Sequence, residues 1–202
     1  MNRKSIVFFV FAIVGLLLDQ LTKYWIRANL QLHVDEIPII PNFFSLVHAE
    51  NPGAAGGFLR NFEYRHYVFL GFTLVATYVI VDMWWKLPKE DWFMSSTLGL
   101  ILSGAFGNAI DRVHKQTVTD FLRVYTEHAS LKPWLIETIG TNEWPSFNIA
   151  DSALVVGVLL FLIHYLFLEE KEKPATPDGS TSAEKPSPPG DTSAPPSADT
   201  PP

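Results

Sequence analysis

The chain has 202 residues, of which 48% are apolar, with 15 Phe, 6 Trp and a formal charge of −6. It contains no Cys, which excludes disulfides, thiolate metal sites and cysteine nucleophiles. Much of the acidic excess lies in residues 169–202, and no basic patch is large enough to suggest a nucleic-acid partner.

Four apolar segments organise the rest, at 5–26, 67–85, 93–110 and 149–168. Each approaches the ~20 residues that cross a hydrocarbon core as helix. They predict an all-α membrane protein with four transmembrane helices. The first segment opens Met1-Asn-Arg-Lys4 like a signal peptide, but its apolar run meets Asp19, Gln20 and Lys23 instead of a small-residue cleavage site. It reads as an uncleaved first helix, with Phe8, Phe9 and Phe11 as lipid-facing bulk. Between the first two segments, Ile37-Pro-Ile-Ile-Pro41 and Phe43-Phe-Ser-Leu-Val47 are short β-prone runs broken by Pro. Asn51-Pro-Gly-Ala-Ala-Gly-Gly57 follows, a turn-forming stretch whose backbone amides can approach a ligand. These predict a small extracytoplasmic cap containing β structure. Gly99, Gly104 and Gly107 in the third segment suit close helix packing. Trp134 and Trp144, before the fourth, suit a membrane interface.

Beyond Leu168 the composition changes to Pro, Ser, Thr and Ala, with no large apolar residue. Such a stretch cannot offset the entropy of ordering. It predicts a disordered cytoplasmic tail over 169–202, leaving 1–168 as the membrane domain. Arg3, Lys4, Lys86, Lys89, Lys171 and Lys173 flank the helix ends on one side, which places both termini and the 86–91 link in the cytoplasm.

With that topology, the polar groups that follow all fall toward the outer face. Asp19 and Lys23 share one face of the first helix at i and i+4. Asn108, Asp111 and Arg112 end the third helix, beside Gly104 and Gly107. Asn148 and Asp151 begin the fourth, and Asp120 lies in the outer connection between the two. Ionisable residues in membrane segments are costly and are functional candidates. A channel needs polar groups through the full depth of the bundle, and an ion-coupled transporter needs charge near the midplane and broken helices, whereas this pattern describes a site near one surface. Two carboxylates held close together cannot both ionise easily, so their proton affinities separate. One then serves as base for a water while the other, protonated, polarises a carbonyl. Asp120 and Asp151 are placed for that division of labour, and Arg112 can orient or neutralise a carboxylate.

Five motifs, Asp19-Gln-Leu-Thr-Lys23, Asn51-Pro-Gly-Ala-Ala55, Gly104-Ala-Phe-Gly-Asn-Ala-Ile-Asp-Arg112, Val118-Thr-Asp-Phe121 and Phe147-Asn-Ile-Ala-Asp-Ser152, occur in one order. Together they resemble bacterial lipoprotein signal peptidase (signal peptidase II) over residues 5–168. The resemblance implies an aspartic endopeptidase of the bacterial inner membrane. It would remove signal peptides from diacylglyceryl-modified prolipoproteins by cutting before the lipidated Cys. Position by position, Asp120 and Asp151 would be the catalytic pair. Asp19, Lys23, Asn51, Gly104, Asn108, Arg112 and Asn148 would support the site or hold substrate, and Asp111 would support the fold. The resemblance implies no metal or organic cofactor. It does imply membrane lipid as surroundings, globomycin-type inhibitors as ligands, and a monomer, since a single bundle suffices. The chain departs from the family's pattern at Gly56, where a bulky aromatic is usual, and in a long loop between Asp120 and Asp151.

Competing readings are a catalytically silent lipoprotein-binding scaffold of the same fold, a small ion-coupled transporter, and a serine–lysine peptidase using Lys23. For the last, Ser45, Ser103 and Ser152 show no nucleophile motif.

Overall fold

The computed structural model describes residues 2–53 and 62–168. The expected tail, Gly56 and most of the Gly-rich stretch lie outside the described residues. In chain order the elements are α1 (Arg3–Asn29), β1 (Glu36–Ile40), β2 (Phe44–Asn51), α2 (Arg65–Lys86), α3 (Trp92–Lys115), β3 (Val118–Val124), α4 (Leu131–Ile139) and α5 (Ile149–Ile163). A single π-helical turn, His164–Leu168, extends α5.

Four of these helices are long and apolar enough to cross a bilayer, the last as the continuous stretch Ile149–Phe167. The chain is a multi-pass membrane protein. Their boundaries follow local chemistry. The Asn2 side chain accepts from the Ser5 N–H to start α1, and Asp91 does the same for Met94 at the start of α3. α3 stops at Gln116, whose left-handed backbone turns the chain directly into β3.

α3 is the hub, packed between α1 and α5. A Cβ at Gly99 would lie 2.5 Å from the Phe8 carbonyl oxygen, and one at Gly104 would meet the Ala150 carbonyl oxygen. Small residues let the backbones approach this closely, and dispersion rather than hydrophobicity holds helices together in lipid. Outward, Leu17, Leu21, Leu74, Val75 and Val155 are more than half exposed, a belt that only lipid can cover. Phe9 and Phe11 belong to that belt, but Phe8 does not. It is buried against Ile80, Met94 and Leu98, with its ring stacked 4.8 Å from that of Trp84. The lipid-facing reading of Phe8 is therefore corrected. This cluster holds α2 against α1 and α3 at the end remote from the sheet.

The sheet is antiparallel with β2 central, in the order β1-β2-β3. β1 and β2 realise the Pro-broken runs. β3 does not follow the sequence reading, which had Asp120 in a plain connection. Ala49 pairs with Asp120 and Asn51 with Val118, so the sheet carries Asp120 at a fixed register over the ends of α3 and α5. α4 was also unforeseen, a short helix inside the long loop before α5.

Candidate active site

Asp19, Lys23 and Arg27 recur every fourth residue on α1 and so share a face. The Lys23 ammonium is fully buried and lies 2.9 Å from Asp19, 3.0 Å from the Asn108 side-chain oxygen and 3.5 Å from Asp111. An unpaired charge at that depth costs several kcal/mol (roughly 3–5 when one partner is removed), and here each group is answered. Asp19 reaches across to α5, accepting the Ala150 N–H at 2.9 Å. It does so beside Gly107, where a Cβ would come 2.5 Å from its carboxylate oxygen. Asp111 accepts the Thr119 N–H at 2.9 Å and faces Arg27 at 3.5 Å. It thereby ties the end of α3 to the start of β3.

Two asparagines link the candidate carboxylates. Asn148 donates to Asp120 at 2.7 Å and to the Asn108 oxygen at 3.2 Å, and Asn108 donates to Asp151 at 2.7 Å. The second oxygen of Asp120 accepts from Asn51 at 3.0 Å. Asn148 also caps α5: its side-chain oxygen accepts the Asp151 N–H at 2.9 Å, while Asp151 accepts the Asn148 N–H at 3.2 Å. This reciprocal capping box satisfies two orphan donors and fixes the Asp151 rotamer. Burial first, and then the charge of Asp151, push the Asp120 carboxyl up to about 7, against the hydrogen bonds of Asn51 and Asn148.

Both carboxylates line one cavity of about 800 Å³, within the range of small-ligand sites. Its polar floor is Asn51, Asn108, Asp120 and Asp151. Its walls are Phe69, Phe72 and Ala76 of α2, Ala105 of α3, and Leu154 and Val155 of α5, with Trp144 and Phe147 at the segment leading into α5. The cavity therefore lies between α2 and α5, against α3. Arg112, singled out in the sequence, lines the same cavity. Its guanidinium lies 4.4 Å from the centre of the Phe69 ring and donates to the carbonyls of Asn108 and Gly53.

The serine–lysine alternative finds no geometry. Lys23 is engaged by two carboxylates and an amide, while the Ser103 and Ser152 hydroxyls donate to the Leu100 and Asn148 carbonyls and Ser45 to the Tyr125 hydroxyl.

The profile of the signal peptidase (SPase) II family matches residues 11–167. The chain belongs to that family. It is 39% identical over 166 residues to a lipoprotein signal peptidase of Geobacter metallireducens, covering 82% of this chain and 94% of that protein. It is 38% identical to one from Syntrophus aciditrophicus, covering 86% of this chain and 99% of the other. A bacterial membrane enzyme solved by the in meso method at 2.3 Å superposes with a TM-score of 0.66 at 31% identity, over 83% of this chain and 93% of its own. The chain is thus an aspartic peptidase of the signal peptidase II type.

Several residues that complete the site carry no motif in the sequence. Phe69 and Phe72 read simply as part of an apolar span. Arg27 could have been found, since it continues the Asp19–Lys23 spacing by one more turn. Glu50 could not. It sits on β2, bonded to Lys115, Thr117 and Thr119; burial raises its carboxyl, but those three donors outweigh it and leave the group below its usual range.

Proposed function

We propose that the protein is an intramembrane aspartic endopeptidase that removes signal peptides from diacylglyceryl-modified prolipoproteins, cutting before the lipidated Cys. The observation that carries the reading is the pairing of Asp120 and Asp151 in one cavity, joined through Asn108 and Asn148. The pair shares one proton, which rests on Asp120. Asp151 then activates the water that attacks the scissile carbonyl, and Asp120 polarises that carbonyl and passes its proton on.

The other residues follow from their places. Asn51 and Arg112 hold the substrate backbone and steady the developing charge. Asp19, Lys23, Gly104, Asn108 and Asn148 keep the two carboxylates at fixed separation. The signal helix enters between α2 and α5 from the bilayer, while the diacylglyceryl group remains among lipid. Globomycin-type inhibitors would compete for the same cavity, and one bundle acts alone as a monomer. The flanking Arg3, Lys4, Lys86 and Lys89 support a bacterial inner-membrane orientation with both termini cytoplasmic and the site at the outer face.

The test is cleavage of a diacylglyceryl-modified prolipoprotein by purified protein in detergent, beside its unlipidated form. The reading requires release of the signal peptide from the lipidated substrate alone. Folded protein that binds the lipidated substrate without cutting it would establish the silent scaffold instead.

A further inference from the structure

The hairpin between β3 and α5 carries apolar surface that the peptidase chemistry does not use. No residue of α4 is buried. Leu131, Trp134, Ile136 and Ile139 are 44–62% exposed, although the helix is ordered and closed by Gly140 in the left-handed conformation. At 3.6 residues per turn, Leu131, Leu135 and Ile139 share one side, Trp134 and Ile136 lie on its two flanks, and Pro133 and Glu137 lie opposite; Lys132, beside Ile139, turns its ammonium to Glu127.

The base of the hairpin is firmly held. Thr126 donates to the Asn142 carbonyl at 3.0 Å and Trp144 to the Val124 carbonyl at 2.9 Å, and Arg123 bridges Glu143 and Glu36. It grows from β3, which starts directly beyond α3, and returns through Phe147 to the cap of α5. α4 is therefore delivered from the point where two membrane-spanning helices reach their site ends. Against water, four large apolar side chains on so short a helix form a costly patch. The exposed belt on the spanning helices already requires lipid, and α4 hangs from a hairpin rooted where α3 ends and α5 begins. Trp134, and Trp144 at the cavity wall, are of the type that favours the interface between headgroups and acyl chains.

We propose that α4 and Trp144 lie in the lipid surface on the site side of the bilayer, seating the cavity mouth at interfacial depth. The occupant of the apolar face is lipid, not a second protein. The inference does not depend on the peptidase reading, and its test needs no substrate.

Because the native chain has no Cys, Trp134→Cys, Ile139→Cys and Glu137→Cys each give one labelling site. Leu74→Cys, on the exposed face of α2, gives a lipid-immersed reference. The full chain is spin-labelled in phosphatidylcholine–phosphatidylglycerol vesicles, and its relaxation by oxygen and by a water-soluble nickel chelate is compared. The oxygen-to-nickel ratio should be several-fold higher at 139 than at 137, approaching the reference, with 134 between the two. Equal access to nickel at all three α4 sites would place the helix in water and overturn the proposal. Shielding from both reagents would overturn it too, by showing a protein, such as a second copy, on that face. A Leu131→Ser/Ile136→Ser background should lower the ratio at 139 with no change at Leu74→Cys. An unchanged ratio at 139 would also count against lipid seating.

Discussion

The two ends of the helix bundle are held by different forces. At the end remote from the sheet, contacts are apolar: Phe8, Ile80, Met94 and Leu98 cluster under the Trp84 ring. The buried charge of Lys4 is absorbed there by the Trp84 and Leu87 carbonyls, both at 2.8 Å, which close the C-terminus of α2. At the sheet end, α1, α3 and α5 are locked by Asp19, Lys23, Asn108, Asp111 and Asn148, while α2 stands aside and offers Phe69 and Phe72 as a wall. In lipid, apolar contact discriminates weakly between helix arrangements because the surroundings are as apolar as the core. Polar pairing supplies the directional constraint, and it is concentrated around the two carboxylates that line the cavity. The apolar end keeps α2 attached without filling the space between α2 and α5.

Removing polar pairing should do the most damage. Lys23→Met strands Asp19 and Asp111 without their shared cation and should cost about 3–5 kcal/mol, read as lost thermal stability in detergent. Retention of wild-type stability would mean that the site end is held by packing alone. Gly104→Val follows, since its side chain meets the Ala150 backbone, which cannot rotate away. A loss of about 1–3 kcal/mol is expected, with reduced turnover because α5 carries Asp151. Gly71→Ala is the matched control, with nothing within 4 Å of the added carbon. It should be neutral or stabilising by up to about 1 kcal/mol.

Lys4→Met tests the opposite end. It should lower stability by about 1–3 kcal/mol through unsatisfied carbonyls, while the cleavage rate of the folded fraction stays at wild type. A large fall in that rate would show that the two ends are coupled.

The smallest effect is on pH dependence. Asp120 is protonated below about 7, so cleavage that needs its proton declines as pH rises through that value, by about tenfold per unit well above it. The sign for stability is the same. Its folded-state affinity for the proton is raised, so the stability it contributes is full below the ordinary carboxylate range and is lost as pH climbs to about 7. A cleavage profile still rising at pH 9 would assign the proton elsewhere.

Much of this was legible in the residues. Span lengths located the four helices, and the one-sided distribution of Asp19, Asn108, Asp111, Asn148 and Asp151 located the polar end. Phe8 was misread because a Phe facing lipid and one facing a neighbouring helix leave the same trace where both surroundings are apolar. β3 was missed because residues 118–121 are buried on both faces, which erases the alternation that marks a half-exposed strand. α4 is short and carries Pro133 in its first turn, so only Gly140 hinted at a helix end. The bridge from Asp120 through Asn148 and Asn108 to Asp151 spans three elements, and no spacing within the chain encodes it.

The most direct test of the central claim is turnover of a lipidated prolipoprotein by Asp120→Asn and Asp151→Asn, each shown to be folded. Both should lose roughly 10²–10⁴-fold in kcat, with substrate binding retained. Either variant cleaving at the wild-type rate would contradict the carboxylate pair as the seat of the chemistry.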